Sequence, residues 1–228
     1  MRSDSAPKLR AARSMTVKRH TRATLARTTR ATVLFADLRG YTALAERLAP
    51  AQIVPLLDEF FGVLAQDTAV HGGTVFHTAG DGMMAGFGGQ EPDDDGAREA
   101  LRAGHSMLQN FGTVALRWRR ELSIETGIGV GLHLGEVALG LLGAPGQKST
   151  TLVGDTVNVA ARLCSRARAG EVLLSCTVAT ALNIHDGDGA GALYVGPIPV
   201  LHLPRFELRG RIAPLDIWCI PAAERAAL

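Results

Sequence analysis

Residues 123–142 read S-I-E-T-G-I-G-V-G-L-H-L-G-E-V-A-L-G-L-L. Ile124, Thr126, Ile128, Val130, Leu132 and Leu134 recur at every second position, the period of a strand that buries one face. Gly135 is expected to turn the chain, so that residues 136–142 return as the second arm of a hairpin. A half-buried strand needs helices to cover it, and both flanks supply them. Upstream, Ala97, Leu101, Gly104, Leu108, Phe111, Ala115 and Trp118 form a long helical stripe. Downstream, Asp155 is placed to cap a helix from Thr156 to about Arg168, which Gly170 ends.

Further outward the order of elements stays mixed. Residues 31–36 (A-T-V-L-F-A) are a short apolar run of β-formers and predict a buried strand. A short helix over 41–48 stops at Pro50. A second begins near Ala51, with Ile53, Leu56, Leu57, Phe60 and Leu64 on one face and Gly72-Gly73 at its end. Residues 74–78 and 83–87 predict two strands around the turn Gly80-Asp81-Gly82. Strands are also expected over 171–175, 200–208 and 215–220, with a short helix over 177–182 and a Gly/Asp loop over 183–191. The helix over residues 156–168 is expected to turn Val157, Ala161 and Cys164 toward an apolar neighbour. Such a mixture implies an α/β fold in which helices cover a sheet.

The chain has 228 residues, 46% of them apolar, so it can bury a sizeable core. No stretch of 18 uncharged apolar residues occurs, which argues against a membrane span within it, and no secretory h-region is seen. Cys164, Cys176 and Cys219 lack metal-site spacing and predict a reducing, cytoplasmic setting. Residues 1–30 hold nine Lys/Arg and one acid, so the basic balance sits in an N-terminal arm or linker and residues 31–228 form a net acidic domain. A domain of that sign is a poor nucleic-acid binder.

Two groups of residues could carry chemistry. Asp37 follows the first strand, in F-A-D-L-R-G-Y-T, and Asp81 occupies a strand turn, in A-G-D-G-M-M-A-G-F. Carboxylates at adjoining strand ends suit hard cations, and a pair of them can hold two metals for displacement at phosphorus. Taken singly, Asp37 is equally a helix N-cap and Asp81 a turn residue. Asn158 and Arg162 lie four apart, on one face of the 156–168 helix. They could orient a sugar and neutralise a phosphoryl oxygen, or be ordinary solvated side chains. Arg209, in L-R-G-R, is a surface arginine or a phosphate hand. His133, on the alternating strand, reads as structural.

Together the strings V-L-F-A-D-L-R-G-Y-T, H-G-G-T-V-F-H-T-A-G-D-G-M-M-A-G-F, G-L-H-L-G-E-V-A-L-G and T-L-V-G-D-T-V-N-V-A-A-R-L resemble the catalytic domain of the class III nucleotidyl cyclases. The likeness runs from about Ala31 to Ile220. It implies a ferredoxin-like βαββαβ sheet working as a head-to-tail homodimer with shared active sites. It implies two Mg²⁺ or Mn²⁺ ions held by Asp37, Asp81 and the Leu38 carbonyl, with the loop of Leu38, Arg39, Gly40 and Tyr41 cradling phosphates through its backbone N–H groups. Asn158 would position the ribose, Arg162 would stabilise the transition state, and Arg209 would grip the terminal phosphates. His77 stands where adenylyl cyclases carry a base-reading lysine, with Thr151 as its partner. Thr151 favours ATP as substrate and cyclic AMP as product, with a guanylyl cyclase acting on GTP, or a nucleotide-binding regulatory domain, as alternatives. An upstream sensor domain joined through residues 1–30 would fit such a module.

Overall fold

The structure, a computed structural model, describes residues 26–89, 95–184, 193–206 and 215–222. Its centre is β1 (Arg27–Arg39), paired antiparallel with β3 (Gly82–Phe87) on one edge and with β4 (Gly127–Leu142) on the other. β2 (Thr74–Ala79) joins the outer edge of β3. Two helices, α1 (Tyr41–Arg47) and α2 (Pro50–Val70), connect β1 to β2, and α3 (Ala97–Leu122) connects β3 to β4. This is the βαββαβ arrangement with strand order β2-β3-β1-β4, the ferredoxin-like order that the family resemblance implies.

The sheet continues through β6 (Glu171–Ser175), which is parallel to β4, then β9 (Leu215–Ile220), β8 (Ile198–Phe206) and β7 (Leu193–Val195). α4 (Asp155–Arg166) and α5 (Cys176–Ala181) flank β6 in the chain. β1 starts at Arg27, inside the segment read from composition as a basic arm, because residues 27–30 continue the ladder against β4. Residues 1–25, most of that arm, lie outside the described residues.

Three local expectations are corrected. Gly135 makes no hairpin: β4 runs straight through it to Leu142, and the antiparallel partner is β5 (Ser149–Val153), which periodicity had not marked. Gly135 instead leaves room for Thr156, whose hydroxyl would lie 2.6 Å from a Cβ at that position. Asp155 is not the cap of α4; that position is Gly154, and Asp155 opens the first turn. The buried face of α4 is Thr156, Val159, Ala160, Leu163 and Cys164, with Val157 and Ala161 only half-buried.

One side of the sheet holds the main core. Leu34, Ala36, Leu38, Ile128, Val130, Leu132 and Leu134 meet Phe60 and Leu64 of α2 and Leu101, Met107, Phe111 and Trp118 of α3. Phe111 packs edge-on against both Phe60 and Trp118, at ring separations of 5.4 and 5.5 Å. Trp118 Nε1 donates to Glu59 Oε2 at 3.0 Å, so the indole buries its ring without orphaning its polar tip. The other side is covered by α4, which packs on β4 and β1. The helix comes close because β4 presents glycine beneath it: a Cβ at Gly131 would lie 2.1 Å from the Cys164 nitrogen. The alternation Gly-Ile-Gly-Val-Gly-Leu thus encodes two different contacts, aliphatic packing on one face and backbone approach on the other.

Candidate active site

Val33, Phe35, Asp37 and Arg39 occupy the α4 side of β1, since alternate residues share a face and Leu34, Ala36 and Leu38 take the other. Asp37 stands opposite Gly82 of β3 and Gly129 of β4. The Leu38 N–H donates to the Asp81 carbonyl at 3.0 Å and ties the β2–β3 turn to the end of β1. That bond commits the Leu38 N–H, which therefore leaves the phosphate cradle expected over residues 38–41. Gly82 lies beside the carboxylate: a Cβ there would be in ordinary contact with Asp37 Oδ1, at 3.5 Å.

Burial, and then the negative charge of Asp81, push the Asp37 carboxyl above its ordinary range, while Arg39 pulls it back. Two carboxylates that repel each other in a half-buried setting make a place where a cation is favoured. Among the described residues no group of three or more His, Cys, Asp or Glu side chains is assembled. The donors here are two carboxylates and nearby backbone oxygen, a hard set of the kind that Mg²⁺ and Mn²⁺ accept.

The family resemblance assigns the Arg39 backbone N–H to a phosphate cradle; its side chain makes separate contacts. Arg39 Nη1 donates to Asp37 Oδ2 in an ion pair. Its Nε donates to the Ala167 carbonyl at 3.0 Å, and its Nη2 donates to the Cys164 carbonyl. The guanidinium lies directly over Gly129, where a Cβ would meet Arg39 Nη2 at 2.4 Å. Cys164 is buried beside it, its thiol pushed up to about 12 and donating to the Gly129 carbonyl at 3.3 Å. Gly40 follows at φ +84, a left-handed turn that most side chains resist, and starts α1. Tyr41 packs its ring against the main core.

Asn158 is exposed and Arg162 half-buried on the outer side of α4, away from Val159, Ala160 and Leu163. Thr151 is half-buried on β5, one residue from Leu152, which packs into the smaller cluster with Met84 and Phe76. β2 carries a bulge between Val75 and His77. Phe76 and His77 thereby fall on the same side: Phe76 joins that cluster, and His77 pairs with Met84, a member of it. Without the bulge His77 would face the opposite side of the sheet. Strand periodicity alone cannot see this, and the only hint in sequence is the run V-F-H-T without alternation. Arg209 lies outside the described residues.

His133 is buried on β4, its Nδ1 2.8 Å from Ser175 Oγ, within a hydroxyl network that includes Thr177. This is a structural setting, as expected. A cavity of about 780 Å³ lies on the far side of the Arg39–Gly40 corner, between α3, the start of β4 and Ala222; Asp37, Asp81, Asn158 and Arg162 are not among its walls. No helix among the described residues is long and apolar enough to cross a membrane.

Comparison with known proteins agrees with this fold. Residues 24–199 match the family model of the adenylate and guanylate cyclase catalytic domain. An adenylate cyclase of Anabaena cylindrica is 33% identical over 146 residues, covering 60% of this chain and 27% of that protein. Adenylate cyclase 1 of Rhizobium meliloti is 30% identical over 132 residues, covering 58% of this chain and 20% of its own length. The chain thus spans about a quarter or less of these curated relatives. Among solved structures, the adenylyl cyclase CyaB from P. aeruginosa superposes with a TM-score of 0.76 at 25% identity, covering 88% of this chain and 97% of that one. The guanylyl cyclase Cya2 does so at 0.71 and 27%, covering 89% and 98%. With the family model covering most of the chain and the fold matching over nearly all of it, this protein belongs to the adenylate and guanylate cyclase catalytic domain family.

Proposed function

We propose that this domain converts ATP to 3′,5′-cyclic AMP and pyrophosphate in a cleft shared by two copies of the chain. The observation that carries this reading is the approach of Asp37 and Asp81 at the tied ends of β1 and the β2–β3 turn, where burial and the charge of Asp81 raise the Asp37 carboxyl and favour a bound cation. Asp37, Asp81 and the Leu38 carbonyl would hold two Mg²⁺ or Mn²⁺ ions. When bound, such ions lower the pKa of the ribose 3′-hydroxyl and screen the phosphate charges.

The reaction joins the ribose 3′-oxygen to the α-phosphorus and breaks the bond to the β-phosphate, releasing pyrophosphate. The chain's own task is positioning and charge stabilisation. Asn158 holds the ribose, and Arg162 offsets the charge that builds on the α-phosphoryl group. The backbone around Gly40 and Tyr41, together with Arg209, holds the β- and γ-phosphates. Asn158 and Arg162 come from the copy facing the aspartates, so each copy contributes half of each cleft.

His77 and Thr151 would read the base. Thr151 favours adenine by its resemblance to bacterial adenylyl cyclases. His77 supports a second reading, because neutral imidazole donates from one nitrogen and accepts at the other, which suits guanine as well. Incubating the purified chain with ATP or GTP and Mn²⁺, with product analysis by mass spectrometry, separates the two. Cyclic AMP as the dominant product is expected; dominant cyclic GMP reverses the assignment, and no cyclic product from either rejects it in favour of a nucleotide-binding regulatory role. His77→Lys should shift the ATP-to-GTP ratio of kcat/KM toward ATP. Mixed Asp37→Ala and Asn158→Ala subunits should regain part of the lost activity, and absence of rescue would count against the shared cleft.

A further inference from the structure

The geometry points to Arg39 as a positioning residue that serves both clefts of a dimer at once, a step that rests on the shared-cleft reading above. Three observations converge on one guanidinium. It donates to the Asp37 carboxylate on its own strand. It donates to the Cys164 and Ala167 carbonyls at the C-terminal end of α4, residues 125 and 128 positions further along the chain. It occupies the space that Gly129 leaves by having no side chain.

Each contact has a physical purpose. The last carbonyls of a helix carry partial negative charge, so a cation there holds the helix end in place; the Cys164 carbonyl also accepts from the Ala167 N–H at 3.1 Å and takes Arg39 as a second donor. A fork of N–H donors fixes direction as well as distance, which a lysine ammonium cannot do. The same fork sets the orientation of Asp37 and partly neutralises it while the site awaits a divalent ion. α4 carries Asn158 and Arg162, which in a shared cleft act on the nucleotide held by the other copy's aspartates. Arg39 thus sets the carboxylate of one cleft and the transition-state helix of the other. The Leu38–Tyr41 segment gives this away only in three dimensions, since Arg39 and Cys164 are far apart in sequence.

The test uses a pair of subunits in which a single cleft is complete. One subunit carries Asp37→Ala and lends only its α4 to that cleft; its partner carries Asn158→Ala and lends only its carboxylates. Arg39→Gln is then introduced into either subunit. In the subunit lending α4, kcat should fall about tenfold with half-saturating Mn²⁺ unchanged, because the helix is misplaced while the metal ligands are not. In the subunit lending carboxylates, Mn²⁺ affinity measured without nucleotide by electron paramagnetic resonance should tighten about threefold or more, because a competing positive charge has gone. Arg39→Lys should recover less than half of the kcat loss. If Arg39→Gln in the α4-lending subunit leaves kcat within twofold, or if the two placements give the same change, the proposal is overturned. A parent pair with no activity would instead reject the shared cleft. Mn²⁺ titration of the Arg39→Gln homodimer still tests the Asp37 contact in that case: unchanged affinity rejects it. Thermal melts of each variant confirm that the subunits compared are folded.

Discussion

On the α2/α3 side of the sheet, Leu34, Phe60, Leu64, Leu132 and Phe111 are wholly removed from solvent, and the packing is apolar and continuous. On the α4 side the clusters are smaller. Phe35, Phe76, Leu139 and Val157 are only partly covered, and Asp37, Arg39, His77, Asn158 and Arg162 stand on that side or at its rim, while Thr151 alternates with Leu152 along β5. The first face satisfies itself within one chain. The second spends its contacts on bringing backbone close to backbone and on presenting polar groups. Continuous apolar packing and the candidate site residues thereby fall on opposite faces of the same strands, with one residue step along β1 or β4 switching between them.

Substitutions on the two faces should separate these roles. Asp37→Ala is expected to lower cyclase turnover by about 1,000-fold or more, since it removes a carboxylate that holds metal in the proposed mechanism. The melting temperature should stay within about 2 °C, because a half-buried carboxyl whose pKa is raised adds no folding stability when ionised. A variant that keeps its turnover breaks the comparison. Phe111→Ala should do the reverse, costing about 3–5 kcal/mol of stability, or about 10 °C in Tm, with activity per folded molecule retained at low temperature. Gly131→Ala probes the boundary. Its Cβ would collide with the backbone of α4 at Cys164 and Ala160, so about 1–3 kcal/mol of stability should be lost together with several-fold in kcat. Loss of stability without loss of kcat would mean that α4 can shift without disturbing the cleft.

The smallest expected effect concerns a polar flaw on the apolar side. Asp67 of α2 is buried; its Oδ1 accepts from Asn110 Nδ2 at 2.8 Å, while Oδ2 has no partner among the described residues. Burial raises its pKa, against the opposing pull of Asn110 and His71. A carboxyl raised in the folded state contributes stability that is complete below its unfolded value and is lost as pH rises through the folded one. Asp67→Asn should therefore raise Tm by about 2–4 °C at pH 7 and by less as pH falls toward 4. Equal gains at both pH values would show that the charge is not the cause.

Much of this was legible in the chain itself. The alternation of Ile128, Val130, Leu132 and Leu134, the stripe ending in Trp118, and the punctuation by Gly72-Gly73 and Gly170 follow from periods of 2 and 3.6, so elements and their core faces could be read directly. Asp37, Asp81, Asn158 and Arg162 were nameable because four ordered strings carry them. Misreadings clustered at glycine. Gly135 resembled a turn and proved to be clearance for Thr156, since an absent side chain serves a bend and a close approach equally well. β5 and β7 were missed because short edge strands carry too few residues for a period to emerge.

The amino-acid order by itself determined which residues are apolar, at what spacing, and which acids, amide and cations the chain offers. It therefore determined the strand and helix content and the identity of the family. Only the tertiary structure decided that the bulge in β2 puts His77 on the α4 side, that the Leu38 N–H is held by Asp81, and that Arg39 joins Asp37 to the end of α4. Those outcomes depend on register and on contacts between residues more than 40 positions apart in the chain, or on a one-residue shift in pairing, and neither leaves a local trace.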